Sequence, residues 1–206
     1  MISHEYKCLF LHIPKCGGTT VETSFKAWDN KTESFLGQGD GSSQHFILKD
    51  IIKFRPECSD YFKFTFVRNP FSRLVSIYNY SLQESRKNQD YIQSNHALNL
   101  SFKDFCLNLD FNIKKYCYRF HDTSLCFYIL DDNYKVTVDF IGKIENFQSD
   151  FDYVCDILNK PKCELPHILK SNINKHYTEY YDEDTYNIVL NKYKQDIEYF
   201  GYTFGN

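Results

Sequence analysis

The sequence predicts an α/β protein with a mainly parallel sheet, and three observations carry this prediction. Short apolar runs alternate along the chain with segments of helical periodicity, which is typical of parallel sheets. Two of these runs pass directly into residues suited to the start of a helix. The length of 206 residues fits one domain, residues 1–206, that is large enough to bury a substantial core.

The first strand-to-helix unit lies near the start of the chain. Residues 7–12 are predicted to form a buried strand, and residues 18–27 the helix that follows it. The connection over residues 29–44 is polar and contains three glycines, so its length and composition suit a functional loop better than a simple turn. A short helix is expected over residues 46–54.

The second unit begins at an aromatic and β-branched strand, residues 61–67. Pro70 then opens a helix at its first position, where the missing N–H of proline carries no cost. Residues 80–130 are predicted to be helical with polar interruptions. Within them, Ser101 followed three residues later by Asp104 indicates the start of a helix.

The C-terminal part supplies the remaining elements. We predict a third strand over residues 135–141, a helix over 147–158 and a loop over 159–176. A long closing helix is expected over residues 182–199. Its inward stripe is formed by Tyr186, Val189, Leu190, Tyr193 and Ile197.

Composition and charge exclude several classes of protein. The formal net charge of −3 argues against a general nucleic-acid binder, which carries a basic excess. The polar residues 1–7 lead straight into a strand, and no apolar stretch reaches the length of a signal sequence or a membrane span, so a cytoplasmic location is expected.

The eight cysteines contain no Cys-x-x-Cys pair, which disfavours a zinc site. Four of them lie in apolar patterns and are expected to be buried thiols: Cys8, Cys106, Cys126 and Cys155.

The segment from His12 to Thr20, which we call the anion loop, is the most informative motif. Gly17 and Gly18 allow close approach of the backbone, and the helix that follows presents free N–H groups and a positive dipole end. Lys15 adds a mobile charge, and the two following threonines add hydroxyl donors. Because the lysine precedes the glycines, the loop differs from that of nucleotide triphosphatases. The motif predicts a phosphate or sulfate site.

A second anion signal follows the second strand. Arg68 stands at the carboxyl end of that strand, where ligands bind in open α/β sheets, and Ser76 lies two helical turns further on. Alone, Arg68 suits a surface ion pair and Ser76 a neutral helix position. Together with the anion loop, they are explained by one ligand that carries phosphates at both ends. Arg73, between them, is expected to be a charge on the helix surface.

These motifs make the chain similar to a known family. Residues 12–20 resemble the 5′-phosphosulfate loop, and residues 66–78 the 3′-phosphate motif, of sulfotransferases that use 3′-phosphoadenosine 5′-phosphosulfate. The closer resemblance is to the carbohydrate branch that includes heparan sulfate 2-O-sulfotransferase and bacterial relatives. Residues 139–147, 165–171 and 196–202 agree further, so the resemblance covers nearly the whole chain. It implies a P-loop-like, three-layer fold with a central parallel sheet flanked by helices.

The resemblance also implies a reaction and a donor site. The sulfuryl group would pass from the phosphosulfate (PAPS) to a hydroxyl of a glycan or glycoconjugate by in-line displacement, leaving adenosine 3′,5′-bisphosphate (PAP) and needing no metal. Lys15 would stabilise the leaving phosphate. The residues expected to bind the donor are Lys15, Cys16, Gly17, Gly18, Thr19, Thr20, Arg68, Ser76, Lys170 and Ser171.

His45 is the candidate general base. It lies at the end of the glycine-rich connection and before a helix, where carbohydrate sulfotransferases resemble one another in presenting a histidine. A side chain with a pKa near neutrality suits the removal of a hydroxyl proton at cellular pH. Which histidine is the base stays open, and the competing histidines are His12, His96, His121, His167 and His176.

Two other functions stay open. A P-loop-like small-molecule kinase would need a magnesium-binding Ser or Thr directly after a loop lysine and an Asp at a strand end, and neither is evident. A noncatalytic nucleotide-binding protein would keep the donor site without transfer. ATP turnover with magnesium and no affinity for PAP would favour the kinase, while PAP binding without transfer would favour the noncatalytic protein.

Overall fold

The structure is a computed structural model that describes residues 1–28, 31–33, 47–87, 100–110, 121, 123–166 and 175–206, with the backbone alone given for 83–87. The strands found in these residues are β1 (Ile2–Ser3), β2 (Cys8–Leu11), β3 (Phe62–Val67) and β4 (Phe140–Lys143). The helices found there are α1 (Gly18–Trp28), α2 (Leu48–Phe54), α3 (Pro70–Lys87), α4 (Phe102–Leu107), α5 (Leu125–Ile129), α6 (Phe147–Ile157), α7 (Glu183–Lys192) and α8 (Lys194–Phe200). Single turns of 3₁₀-helix cover Pro56–Cys58, Ile144–Asn146 and Tyr177–Tyr180.

The four strands form one sheet in the order β1-β2-β3-β4. β2, β3 and β4 are parallel to one another, and β1 pairs antiparallel with β2. The register aligns Leu11 with Thr65 and Thr65 with Ile141, so the carboxyl ends of the three parallel strands lie at one edge. The predicted α/β class with a mainly parallel sheet is therefore confirmed. The P-loop-like, three-layer arrangement stays a prediction.

The third predicted strand, residues 135–141, was placed too early, since β4 begins at Phe140. The cause is Asp131, whose Oδ1 accepts hydrogen bonds from the backbone N–H groups of Asn133 and Lys135 at 2.8 and 2.9 Å. This local turn satisfies the backbone before it can join the sheet. Val136 makes only an isolated bridge to Leu130.

The chain divides into two compact units, the first of which comprises Met1–Arg68 and Leu125–Leu169. It contains the whole sheet with α1, α2, α5 and α6. Its core is largely aromatic, with the rings of Phe10 and Phe64 5.2 Å apart and those of Trp28 and Phe151 stacked at 5.7 Å. All four residues of β2 are buried, which confirms the predicted buried strand.

The second unit comprises Asn69–Ser124 and Lys170–Asn206. Its core joins α3, α4 and α7, and the predicted inward stripe of the closing helix is confirmed there, with Val189 and Tyr193 buried. The closing helix is two helices, because Tyr193 departs from helical angles between α7 and α8. Ser101 caps α4 by accepting a hydrogen bond from the Asp104 N–H, as predicted. One domain over 1–206 stays a prediction.

The cysteines are free thiols wherever the structure describes them, at seven positions. The four expected to be buried are buried: Cys8, Cys106, Cys126 and Cys155. Among the described helices, none combines the length and the apolar character of a membrane span.

Candidate anion-binding site

The structure describes some of the predicted site residues and leaves others outside the described ranges. The anion loop occupies the junction between β2 and α1, Arg68 directly follows β3, and Ser76 lies on α3. Three of the predicted site residues lie outside the described residues: His45, Lys170 and Ser171. Of the competing histidines, His96 and His167 also lie outside them.

The backbone of the anion loop is wound in an unusual way. Lys15 has a φ of 63° and Gly17 a φ of 75°, so two left-handed residues stand on either side of Cys16. Alternation of right- and left-handed residues turns successive N–H groups toward one point and makes a concave anion site. Lysine adopts the left-handed region at a cost on the order of 1–3 kcal/mol, which is typical of functional sites.

Helix α1 begins directly behind this turn, at Gly18. The Val21 N–H donates to the Gly17 carbonyl at 3.2 Å. The N–H groups of Gly18, Thr19 and Thr20 come before Val21 in the first turn of the helix. Helix geometry leaves such amides without a carbonyl inside the helix, and the helix dipole makes this end positive. The first turn of α1 contains no acidic residue. The junction can therefore hold an anion through backbone groups alone.

Close packing explains why both glycines are needed. A Cβ at Gly17 would lie 2.6 Å from Cδ1 of Ile144 and 2.7 Å from Cζ of Phe147. A Cβ at Gly18 would lie 2.3 Å from Nε2 of His12. The sequence indicated that these glycines allow the close approach of an anion, and the structure adds a second reason, since neighbouring side chains occupy the space where a Cβ would stand.

His12 is buried at the end of β2 and turns toward α1. Its Nδ1 lies 2.7 Å from Oε1 of Glu22, and the two side chains are 7% and 1% exposed. The ring also lies 5.9 Å from that of Phe10. The direction of His12, which the sequence did not fix, is thus into the fold.

The segment that follows α6 reaches the anion loop at Pro166. The hydroxyl of Thr20 donates to the Pro166 carbonyl at 3.4 Å. The side chain of Gln148 fixes the same segment, because its amide donates to the Cys163 carbonyl and accepts from the Leu165 N–H, both at 2.9 Å. The hydroxyl of Thr20, expected to bind phosphate, therefore has a backbone partner in this structure.

The second anion motif is divided between the two units. Arg68 is half-buried in the first unit, and Ser76 is 8% exposed in the second. Arg73 is not the surface charge that was expected, since it is 2% exposed and donates to the carbonyls of Thr123 at 2.8 Å and His121 at 3.4 Å. The prediction was wrong because the first turns of α3 are buried on nearly all sides, and a guanidinium has enough donors to satisfy several backbone carbonyls there.

Comparison with known proteins agrees with these motifs. A family model described as "Sulfotransferase family" matches residues 1–203. The chain belongs to this sulfotransferase family. No curated protein and no solved structure matches the chain. The match supports a sulfotransfer reaction, and the anion loop, Arg68 and Ser76 of this sulfotransferase all lie inside the matched region.

Sequence reasoning missed Glu22 of the sulfotransferase. Its position carried a signal, because the buried face of α1 repeats at Gly18, Val21, Glu22 and Phe25, which is the spacing of one helical stripe. A carboxylate in such a stripe requires a partner, since burial of an unpaired charge is costly. The histidine at the end of the preceding strand is that partner.

Proposed function

We propose that the protein transfers the sulfuryl group of PAPS to a hydroxyl of a glycan or glycoconjugate. The observation that carries the proposal is the junction of β2 and α1, where left-handed Lys15 and Gly17 stand in front of the first turn of α1. Membership of the sulfotransferase family and the Arg68 and Ser76 motif support the choice of donor.

The donor is bound through its two phosphates. The backbone N–H groups from Gly17 to Thr20 hold the 5′-phosphate, since that of Cys16 donates to the Ile13 carbonyl at 3.3 Å. Arg68 and Ser76 hold the 3′-phosphate. Lys170 and Ser171, in the predicted loop over residues 159–176, cover the nucleotide, in keeping with the family motif that they resemble. These contacts fix the donor without forming or breaking a bond.

The reaction is an in-line displacement at sulfur. The acceptor oxygen forms the new S–O bond as the S–O bond to the 5′-phosphate breaks, and PAP leaves. Lys15 stabilises the negative charge that develops on the leaving phosphate oxygen. Oriented amides and cationic side chains supply the charge stabilisation, so the reaction requires no metal.

His45 takes the proton of the acceptor hydroxyl. The packing of His12 supports this choice, because its Nδ1 is engaged with Glu22 and its ring lies against Gly18. A general base must come within hydrogen-bonding distance of the acceptor hydroxyl. A histidine that is enclosed in this way does not reach that position. A cytoplasmic location and a glycan acceptor stay predictions from the sequence.

Calorimetric titration with PAP tests the donor site, and transfer of radiolabelled sulfate from PAPS to a panel of glycans, phenols and small alcohols tests the reaction. We expect binding of PAP and transfer to a sugar hydroxyl. Folded protein without affinity for PAP would rule out the proposal, and magnesium-dependent ATP turnover would then point to a kinase. Transfer to phenols alone would keep the donor and replace the acceptor class. Binding without transfer to any acceptor would leave a noncatalytic protein.

A further inference from the structure

We propose that His12 and Glu22 form a positioning pair that sets the affinity of the anion loop for the donor's 5′-phosphate. The inference rests on the proposed function, because it names residues that act on the same site. Neither side chain needs to touch the donor. The pair acts by fixing where the end of β2 lies relative to the first turn of α1.

The ring of His12 fills the space on one side of Gly18. A Cβ at Gly18 would lie 2.3 Å from both Cδ2 and Nε2 of the ring and 2.6 Å from Cε1. The ring is therefore in contact with Gly18, the first residue of α1, whose N–H group belongs to the first turn of the helix. A shift of the ring would change how close the helix start comes to the strand end.

Glu22 holds that ring from the helix side. It stands one turn after Gly18 on the same buried face of α1, and its carboxylate is 2.7 Å from Nδ1 of His12. A hydrogen bond to a buried carboxylate is short and strong, and rotation of α1 about its axis would break it. The helix is thus tied to the strand at both ends of its first turn.

The anion loop needs such support because its backbone is strained. Between the strand end and the helix start, Lys15 is held in the left-handed region, which persists only where the surrounding structure imposes it. Contacts preorganised before binding raise affinity, since less order has to be created when the ligand arrives. The pair supplies these contacts at Gly18, and the packing of Ile144 and Phe147 supplies them at Gly17.

Two substitutions of His12 separate positioning from simple burial. His12→Asn places an N–H group near the position of Nδ1 and keeps a donor for Glu22, whereas His12→Gln places its amide near Nε2 and removes that donor. We expect His12→Gln to raise the Kd for PAP about tenfold and His12→Asn to stay within about threefold of wild type. Glu22→Gln, which removes the charge of the acceptor, should weaken binding about as much as His12→Gln, and the double variant no more than either alone, because the two changes disrupt one interaction.

Thr137→Val is the matched control. The hydroxyl of Thr137 donates a partly buried hydrogen bond to the Ile129 carbonyl at 2.8 Å, away from the β2–α1 junction, so its loss destabilises the same unit without touching the end of β2. It should lower the melting temperature and leave the Kd for PAP unchanged. Hydrogen exchange of the amides of residues 21–25, which are hydrogen-bonded within α1, gives a second readout without ligand. His12→Gln should accelerate this exchange and Thr137→Val should not.

The outcomes separate this inference from the proposed function. Equal Kd values for wild type, His12→Gln and Glu22→Gln would overturn the inference and leave the donor site intact. An equal loss of affinity in Thr137→Val would also overturn it, since general destabilisation would then suffice. Titration of inorganic sulfate is the second probe. If the wild-type protein binds sulfate but not PAP, PAPS is ruled out as the donor, and the His12 and Glu22 variants are then compared by their Kd for sulfate. If it binds neither sulfate nor PAP, both the proposed function and this inference are ruled out.

Discussion

Lys15 is the residue on which the chemistry of the proposed reaction depends most. Its charge is proposed to act on the leaving oxygen, so its removal should slow transfer more than it weakens donor binding. We expect Lys15→Ala to lower the single-turnover rate on the order of 10²–10³-fold. Lys26→Ala changes an exposed lysine in the last turn of α1, the helix that follows the anion loop, and should transfer at the wild-type rate. A Lys15→Ala variant that loses affinity for PAP as strongly as it loses rate would assign the lysine to binding.

Residue roles were predictable where they depend on local sequence, and unpredictable where they depend on packing. The spacing of Lys15, Gly17 and Gly18 after a strand was enough to indicate an anion site. The partner of Glu22 could not be predicted, because the orientation of the strand decides whether the side chain of His12 points toward α1 or away from it. Burial of Arg73 was likewise invisible, since its carbonyl partners lie about fifty residues further on.

At the scale of single elements, α3 is fixed by its buried guanidinium. Arg73→Met keeps much of the side-chain volume but leaves the carbonyls of His121 and Thr123 without this donor. We expect the free energy of unfolding to fall by about 2–3 kcal/mol, because buried acceptors lose their hydrogen bonds. Arg55→Met removes an arginine that is 41% exposed and pairs with Glu33, so it should cost less than about 1 kcal/mol. Chemical denaturation measures both, and equal costs would contradict the structural role of Arg73.

The start of α7 makes stability depend on pH. The hydrogen bond from Lys103, followed by those from Thr185, lowers the pKa of Asp182 well below its ordinary value of 3.8. The folded state thus favours the carboxylate, and the stabilisation is present above about pH 4 and lost as pH falls below it. Asp182→Asn keeps a side chain that caps helices but removes the charge. Its deficit in melting temperature relative to wild type should shrink between pH 5 and pH 2.

A surface pair elsewhere provides the control for Asp182. Asp132 is 90% exposed and lies 3.1 Å from Lys49. Exposed pairs of this kind contribute little to stability. Asp132→Asn should follow the wild-type melting curve at every pH, and a deficit of Asp182→Asn that stayed constant with pH would contradict the assignment.

Element boundaries followed the sequence where a local signal exists. Pro70 begins α3 and Ser101 caps α4, because a fixed φ and a hydroxyl acceptor act on the next few residues alone. The start of β4 was misplaced, since Asp131 competes for backbone groups that β propensity assigns to a strand. The break at Tyr193 carries no such signal, because no proline or glycine stands there.

At the scale of the whole molecule, burial suppresses the reactivity of the thiols. It raises the pKa of Cys106 to about 12 and that of Cys155 to about 11, from an ordinary value of 9.0. Alkylation requires the thiolate, so ionisation alone should slow the reaction of Cys106 about a thousandfold. Iodoacetamide at pH 8 should leave both cysteines unmodified in the native protein and modify them after unfolding in guanidinium chloride.

Cys163 supplies the internal comparison for this experiment. It is only half-buried, so the reagent reaches it more readily than Cys106 or Cys155. Peptide mass spectrometry resolves the three sites, and we expect Cys163 to be alkylated first. Modification of Cys106 at the rate of Cys163 in native protein would show that the second unit opens in solution.

The short strand β1 bears on the handling of the protein at high concentration. At the outer side of the sheet, the N–H and carbonyl of Ile2 are both bonded to Glu33 at 2.8 Å. An edge only two residues long, with these groups already occupied, offers little template for a strand from another molecule. Intermolecular β-aggregation should therefore not begin at this edge, and disruption of the Ile2–Glu33 bridge would leave the N–H and carbonyl of Ile2 open to pairing with another molecule.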